Sequence, residues 1–433
     1  MKFRSAAILA ILLTAATARA ESLTLARAWD LALDNDPGLQ AAREILPESL
    51  GNKMSAQAAF LPQIAGEGRI RHYMKTFGWT MQPIPQIGLN VATPFPATDN
   101  TVPSYAIGLE QMIFDSGYSI ARFRSARHDV NAAEHTVFAH TQERAVELVR
   151  VYSDYYLASK RLTVAKQASR AWNEHERIAR LRYRQNMVAM NDVLAAEVEA
   201  ADARLRVREA SDWVDMNAEH LASIIGERPG VVAEPSVPAP PTDIPEPETR
   251  AEVMAKEAQS ESARLKAQAE GLAYLPRFYG RAEFSYNDDS FLLNKDQYTF
   301  IGGVRVPLFD GFRHWGQRKA AKARQARYRY EREALIKAYA VERDDLLRAW
   351  RRSSEEVRVA SRNRARTAEN LRIVRERYAN GMVPALDVRD AIALWTQAAV
   401  RYHEARCARQ LTAARLRQVA GVPVFETGGE DVR

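Results

Sequence analysis

Arg377-Tyr378-Ala379-Asn380-Gly381-Met382-Val383-Pro384-Ala385-Leu386-Asp387-Val388 is the stretch whose reading decides the fold. A long charged segment without turn residues precedes it, and a helical pattern resumes after it. Gly381 tolerates the left-handed conformation that closes a helix, and Pro384 suits the first turn of the next. The stretch is therefore the tip of a long helical hairpin. Its counterpart is Arg182-Tyr183-Arg184-Gln185-Asn186-Met187-Val188-Ala189-Met190-Asn191-Asp192-Val193. The offset is constant: Tyr378 follows Tyr183 by 195 residues (378 − 183), and the same spacing relates Asp387 to Asp192, Asp310 to Asp115 and Gly421 to Gly226. A repeat without a gap from residue 113 to residue 226 marks a rigid element of fixed length, because loops would have drifted. The chain is an internal duplication.

Composition agrees. The chain has 433 residues, 27% of them charged, with only 20 Gly concentrated in a few places, which suits long helices with small buried faces better than several globular cores. Its net charge of +7 falls to +4 once Lys2, Arg4 and Arg19 are set aside, leaving 58 basic against 54 acidic side chains. That is too mild to favour nucleic acid as a partner. Those three bases lie in Met1–Ala20, where an apolar run from Ala6 to Leu13 leads to Ala18-Arg19-Ala20, the pattern of a secretory signal peptide. The lone Cys407 forms no internal disulfide, and none of the later apolar runs reaches the ~20 residues of a membrane helix. An exported chain of this kind can enter a membrane only as a β-barrel.

After a short amphipathic helix carrying Leu25, Trp29 and Leu33, a second helix is expected from about Gly38 to Phe60, ending at Leu61-Pro62. The period then switches to two. Ile64, Gly66, Gly68 and Ile70 alternate with Glu67, Arg69 and Arg71, and Tyr105, Ile107, Leu109 and Ile113 alternate with Gly108, Glu110 and Met112. Phe278, Ala282, Phe284 and Tyr286, then Tyr298, Phe300, Val304 and Val306, repeat the pattern. Strands are expected at about 63–74, 104–113, 277–286 and 298–307, with a long polar loop over 77–102. One apolar and one polar face over about ten residues is the signature of a transmembrane barrel strand. Four strands cannot close a barrel, since the smallest have about eight, so several chains must pool theirs.

Helix resumes after Phe114-Asp115 and Phe309-Asp310; the run from Ser116 to Arg184 would span ~100 Å at 1.5 Å per residue. The domain reading is a leader (1–20), a first repeat (21–226, tip near 184–190), a Pro-rich linker (227–248), a second repeat (249–422, tip near 379–385) and a disordered tail (423–433).

Chemical motifs are sparse. The chain lacks a nucleophile elbow, a phosphate-binding glycine loop, an HExxH and a paired-cysteine signature, so neither an enzyme nor a cofactor or metal is expected. His403 and Cys407 share a helix face, but two ligands do not make a metal site. Tyr155 and Trp350 correspond in the duplication and read as packing. At the tip, Asp387 and Asp390 share a helix face one turn apart, and Asp192 matches Asp387. Acids favour the first turn of a helix through its macrodipole; the sharper alternative is a ring of carboxylates at the narrow end of a pore.

Ser-Leu-Thr-Leu at 22–25, Asn35-Asp36-Pro37, Leu-Pro before strands, Leu308-Phe309-Asp310-Gly311 after one, and Arg-Tyr-x-x-Gly-x-x-x-x-x-Asp-Val at the tip together resemble the TolC family. The resemblance covers nearly the whole mature chain in both repeats. Asn186 stands where the tip motif usually has glycine, and asparagine also tolerates the left-handed turn. The resemblance implies an α+β membrane protein: a homotrimer with a twelve-stranded β-barrel, four strands per chain, continued by a periplasmic α-helical barrel. It implies an outer-membrane exit duct, embedded in lipid, that docks a periplasmic adaptor and an inner-membrane transporter in type I secretion or small-molecule efflux. It also places Asp387, Asp390, Asp192, Tyr378 and Tyr183 at the periplasmic gate, and Asn186, Met187, Gly381 and Met382 at the adaptor-docking tip. The rival readings are a soluble periplasmic coiled-coil adaptor or tether, and a nucleic-acid-binding coiled coil.

Overall fold

Thr24 and Asp36 set the first two helices. In the computed structural model, which describes residues 22–75, 77–83, 86 and 93–425, Thr24 Oγ1 accepts the Arg27 N–H at 3.2 Å and caps α1 (Leu25–Asn35). Asp36 opens α2 (Pro37–Arg43) by accepting the Gly38 N–H at 3.0 Å, with Pro37 where a missing donor costs nothing. The single helix expected over 38–60 is broken: α3 (Ile45–Gln57) starts anew and ends in a short 3₁₀ turn, Ala58–Phe60. Pro47 is the cause. It cannot donate to the carbonyl of Arg43, and its ring collides with it. The leader (1–20) and the tail beyond 425 lie outside the described residues.

The remaining elements are strands β1 (Gln63–His72), β2 (Gly78–Met81), β3 (Thr93–Pro96) and β4 (Thr101–Phe114), helices α4 (Tyr118–Arg184), α5 (Met190–Ile225) and α6 (Ala251–Leu272), strands β5 (Arg277–Asn287) and β6 (Asp296–Arg305), and helices α7 (Arg313–Ala379) and α8 (Ala385–Val419). Helices α4 and α7 each run 67 residues, about 100 Å. The expected loop over 77–102 contains a correction: β2 and β3 pair as a two-stranded hairpin.

The chain forms two compact units, and each draws on both repeats. The first combines the chain up to Ile45 with His135–Met254 and Glu333 onwards. Its core gathers Leu25, Trp29, Leu148, Tyr152, Leu221 and Ile225, all buried. Leu33 of the expected apolar face packs only at its margin, while Ala28 and Ala32 are fully covered. Asp36 is buried as well, and Arg144 clasps it with two hydrogen bonds of 2.8 and 2.9 Å. That pairing, its largest cause, raises the Arg144 pKa.

The Pro-rich segment is packed rather than loose. Leu23 N–H donates to the Val231 carbonyl (2.8 Å), the Ala233 N–H returns a bond to Leu23 (2.9 Å), and Val232 and Val237 are buried. Arg417 donates to the carbonyls of Ala239 (3.0 Å) and Pro423 (2.9 Å). The start of the expected disordered tail is ordered too: Phe425 stacks on Trp29 at 5.0 Å.

The second unit, Leu46–Glu134 with Ala255–Arg332, carries an antiparallel sheet in the order β1-β4-β5-β6. Register sorts its faces. Gly66, Ile107, Phe284 and Tyr298 fall in one cross-strand row, and Ile64, Leu109, Ala282 and Phe300 in the next. The opposite face has rows such as Glu67, Ala106, Ser285 and Gln297. A bulge between Met112 and Phe114 brings Phe114 opposite Phe278, with ring centroids 6.2 Å apart. The apolar face is bare: Phe300 is 82% exposed and Ile64 71%.

Sheet gives way to helix twice by one device. Ser116 and Gly117 take positive φ (57° and 88°), as do Gly311 and Phe312 (67° and 64°). Asp115 then accepts the Ser119 N–H (2.8 Å) and Asp310 the His314 N–H (3.0 Å), capping α4 and α7.

Candidate functional site at the hairpin turns

The two turns of the first unit are built alike. After α4, Met187 N–H donates to the Arg182 carbonyl (2.9 Å) and Asn186 N–H to that of Tyr183 (2.9 Å). After α7, Met382 N–H donates to Arg377 (2.9 Å) and Gly381 N–H to Tyr378 (3.0 Å). Asn186 and Gly381 hold φ of 61° and 78°, the left-handed pivot such a helix end requires. Asp192 and Asp387 occupy the first turns of α5 and α8, where the helix macrodipole favours an acid.

The side chains divide more sharply than the backbone. Tyr378 is 1% exposed and packs with Trp172, Leu371, Val388 and Ile392. His175 lies against its ring (5.0 Å), and the Arg182 guanidinium lies over it (4.8 Å) while donating to the Tyr378 carbonyl (3.3 Å). Burial, outweighing Arg182, raises the Tyr378 pKa; burial and then Arg375 lower that of His175. Tyr183, its partner in the duplication, is 43% exposed. The two tyrosines paired in sequence thus differ in surroundings: one anchors the turn, the other faces outward. The signal for this is upstream, in Trp172 and His175, whose counterparts in the second repeat are Thr367 and Asn370.

Asp387 and Asp390 are exposed and Asp192 is half-buried. Arg389 lies 4.0 Å from Asp390, whereas Asp387 has no ion-pair partner among the described residues. Met187 and Met382 project from the turns, 63% and 70% exposed. Sequence reasoning missed His175, Arg182 and Trp172, which lock the second turn from the first repeat. His403 and Cys407 do not converge on a ligand set: His403 sits among Tyr156, Tyr402 and nearby cations, and the Cys407 Sγ lies 3.9 Å from the Ser153 carbonyl. Among the described residues, none of the His, Cys, Asp and Glu side chains form a group of three that could hold a metal.

Long helical hairpins and a sheet of barrel-like strands with one bare apolar face are the parts of a channel-forming subunit of a cell envelope. A family model described as outer membrane efflux protein matches residues 28–227 and 248–422. The chain belongs to the outer membrane efflux protein family. It is 26% identical over 337 residues to protein CyaE of Bordetella pertussis, an alignment spanning 73% of this chain and 66% of that protein. The CmeC outer membrane channel of Campylobacter jejuni superposes with a TM-score of 0.77 at 15% identity, covering 94% of this chain and 87% of that one. The outer membrane protein VceC of Vibrio cholerae gives 0.75 at 18%, covering 93% and 97%. The fold is theirs, an α+β membrane protein of the outer-membrane channel class. The chain's family is one of the outer membrane, and its family and fold are those of channels rather than enzymes. Among the described residues, no helix is long and apolar enough to cross a membrane.

Proposed function

We propose that three copies of this chain assemble into one passive exit duct for efflux or secretion, each giving four strands to a shared twelve-stranded barrel. The observation that carries this is the sheet itself. In the order β1-β4-β5-β6, β1 bonds only to β4 and β6 only to β5 among the described residues, so each keeps one edge unpaired by them beside a bare apolar face. Such edges are stable in lipid only when paired, and pairing β6 of one copy with β1 of the next closes the ring. Native mass measurement in mild detergent should return three chains, and membranes washed in carbonate or high salt should retain them. A monomer, or release without detergent, overturns the reading.

The hairpin turns then form the periplasmic end, where Asn186, Met187, Gly381 and Met382 meet a periplasmic adaptor serving an inner-membrane transporter. Three copies would bring Asp387, Asp390 and Asp192 together around an aperture, with Tyr183 beside them and Tyr378 holding the turn from within. Carboxylates so gathered attract cations. In planar bilayers, Asp387→Ala with Asp390→Ala should weaken cation selectivity and block by multivalent cations. Unchanged selectivity with a lower melting temperature would reduce the pair to helix-end charges worth about 0.3–1 kcal/mol each.

A further inference from the structure

Between α7 and α8, away from the hairpin turns, lies an open groove of about 380 Å³ lined by Arg358, Arg362, Arg406, Arg409, Tyr402 and Gln410. None of its lining residues is acidic. Two of the four guanidiniums are already neutralised: Glu355 pairs with Arg358 through bonds of 2.9 and 2.5 Å, and Glu234 pairs with Arg406. The other two are less compensated, Arg362 sharing only the field of Glu355 with Arg358. Among the described residues, Arg362 has neither a hydrogen-bond nor an ion-pair partner, and Arg409 is held only by the Trp350 ring, 5.0 Å away, with its Nε buried and unbonded.

The remaining groups also offer donors. Tyr402 accepts a hydrogen bond from Arg406 (2.7 Å), which leaves its own hydroxyl proton to give. Gln410 spends its carbonyl oxygen on the Val237 N–H (2.8 Å), which leaves its amide N–H groups. A concave site whose charged side chains are all basic, two of them without an ion-pair partner among the described residues, with the Ser361 hydroxyl and Val357 completing its wall, calls for a ligand rich in acceptor oxygens and carrying at least two negative charges.

We propose that this groove is a binding site for a polyvalent oxyanion of the phosphate class. Such a ligand takes the planar forks of Arg362 and Arg409 two oxygens at a time, and the volume of the groove suits a small phosphate compound or a lipid headgroup. Inorganic pyrophosphate, titrated calorimetrically into the detergent-solubilised full-length protein at fixed ionic strength, is the probe. Saturable binding of one pyrophosphate per chain is expected, weakened at least tenfold by Arg362→Gln and further by Arg362→Gln with Arg409→Gln. Arg362 makes no hydrogen bond or ion pair among the described residues, so Arg362→Gln should keep the wild-type melting temperature, which separates lost binding from lost folding. Arg366→Gln, which removes another exposed arginine outside the groove, should bind as the wild type does. Displacement of pyrophosphate by phosphatidic acid vesicles would mark a lipid headgroup as the source; failure to displace it would mark a free phosphate compound. Heat that does not saturate, or equal affinity in the wild type and Arg362→Gln, overturns the proposal.

Discussion

Asn35 and Gly226 show how much a single residue settles. The Asn35 amide donates to the carbonyls of Leu31 (3.0 Å) and Ile225 (3.1 Å), tying the end of α1 to the end of α5. Gly226 holds φ +80°, and a Cβ there would sit 2.7 Å from Asn35 Cβ. Gly421, its equivalent, has φ +69° and open space around it. Gly421→Ala should cost the ~1–2 kcal/mol of a left-handed alanine, and Gly226→Ala more, because Asn35 must also move. Thermal melts in detergent check the order; equal shifts would mean the crowding is relieved for free. His403 supplies a pH test. Its folded pKa, about 4, lies below its ordinary 6.5, so the unfolded chain binds the proton more readily. Stability should therefore fall as pH drops from about 6.5 toward 4 and lose no more to this group below that. His403→Phe should flatten that part of the melting-temperature profile. Both glycines were legible in the sequence as an equivalent pair, but the contact that separates them spans 190 residues and leaves no local pattern.

At the scale of elements, periodicity served well where one physical rule acted alone. The four strands and both 67-residue helices follow from period-two and turn-free runs, with strand ends shifted by a few residues. It failed where a second rule intervened. Pro47 splits the helix expected over 38–60, and the pairing of β2 with β3 is carried by tertiary register rather than composition. The bulge at Met112–Phe114 likewise resets alternation without a mark in the sequence. Asp115→Ala and Asp310→Ala each remove a side-chain acceptor at the start of a long helix, and each should lower the melting temperature, Asp115→Ala by the equivalent of ~1 kcal/mol. The loop around Thr98 is tied down, since Asp99 accepts bonds from the Ser290 N–H (2.6 Å) and hydroxyl (2.8 Å). An epitope after Gln82, in the β2–β3 hairpin, is the better reporter. On the proposed topology it should bind antibody on intact cells, and labelling only after permeabilisation would invert that topology.

For the whole molecule, the duplication was plain from the 195-residue offset, because packed helices tolerate no change of length. The compact units were hidden, since each combines segments of both repeats that are far apart along the chain. The positions of Asp192 and Asp387 just after the turns were legible in the sequence, whereas the burial of Tyr378 depends on Trp172 and His175 from the other repeat. The unpaired edges of β1 and β6 carry a genetic consequence. In the proposed three-copy ring each edge would belong to a neighbour as much as to its own chain, so a copy spoiled on one edge would still join through the other and poison the ring. A cell making faulty and sound copies in equal amounts would complete only about one sound ring in eight, as random filling of three equivalent positions dictates. Edge mutations should therefore behave as dominant, while lesions that stop a chain from folding at all should be recessive.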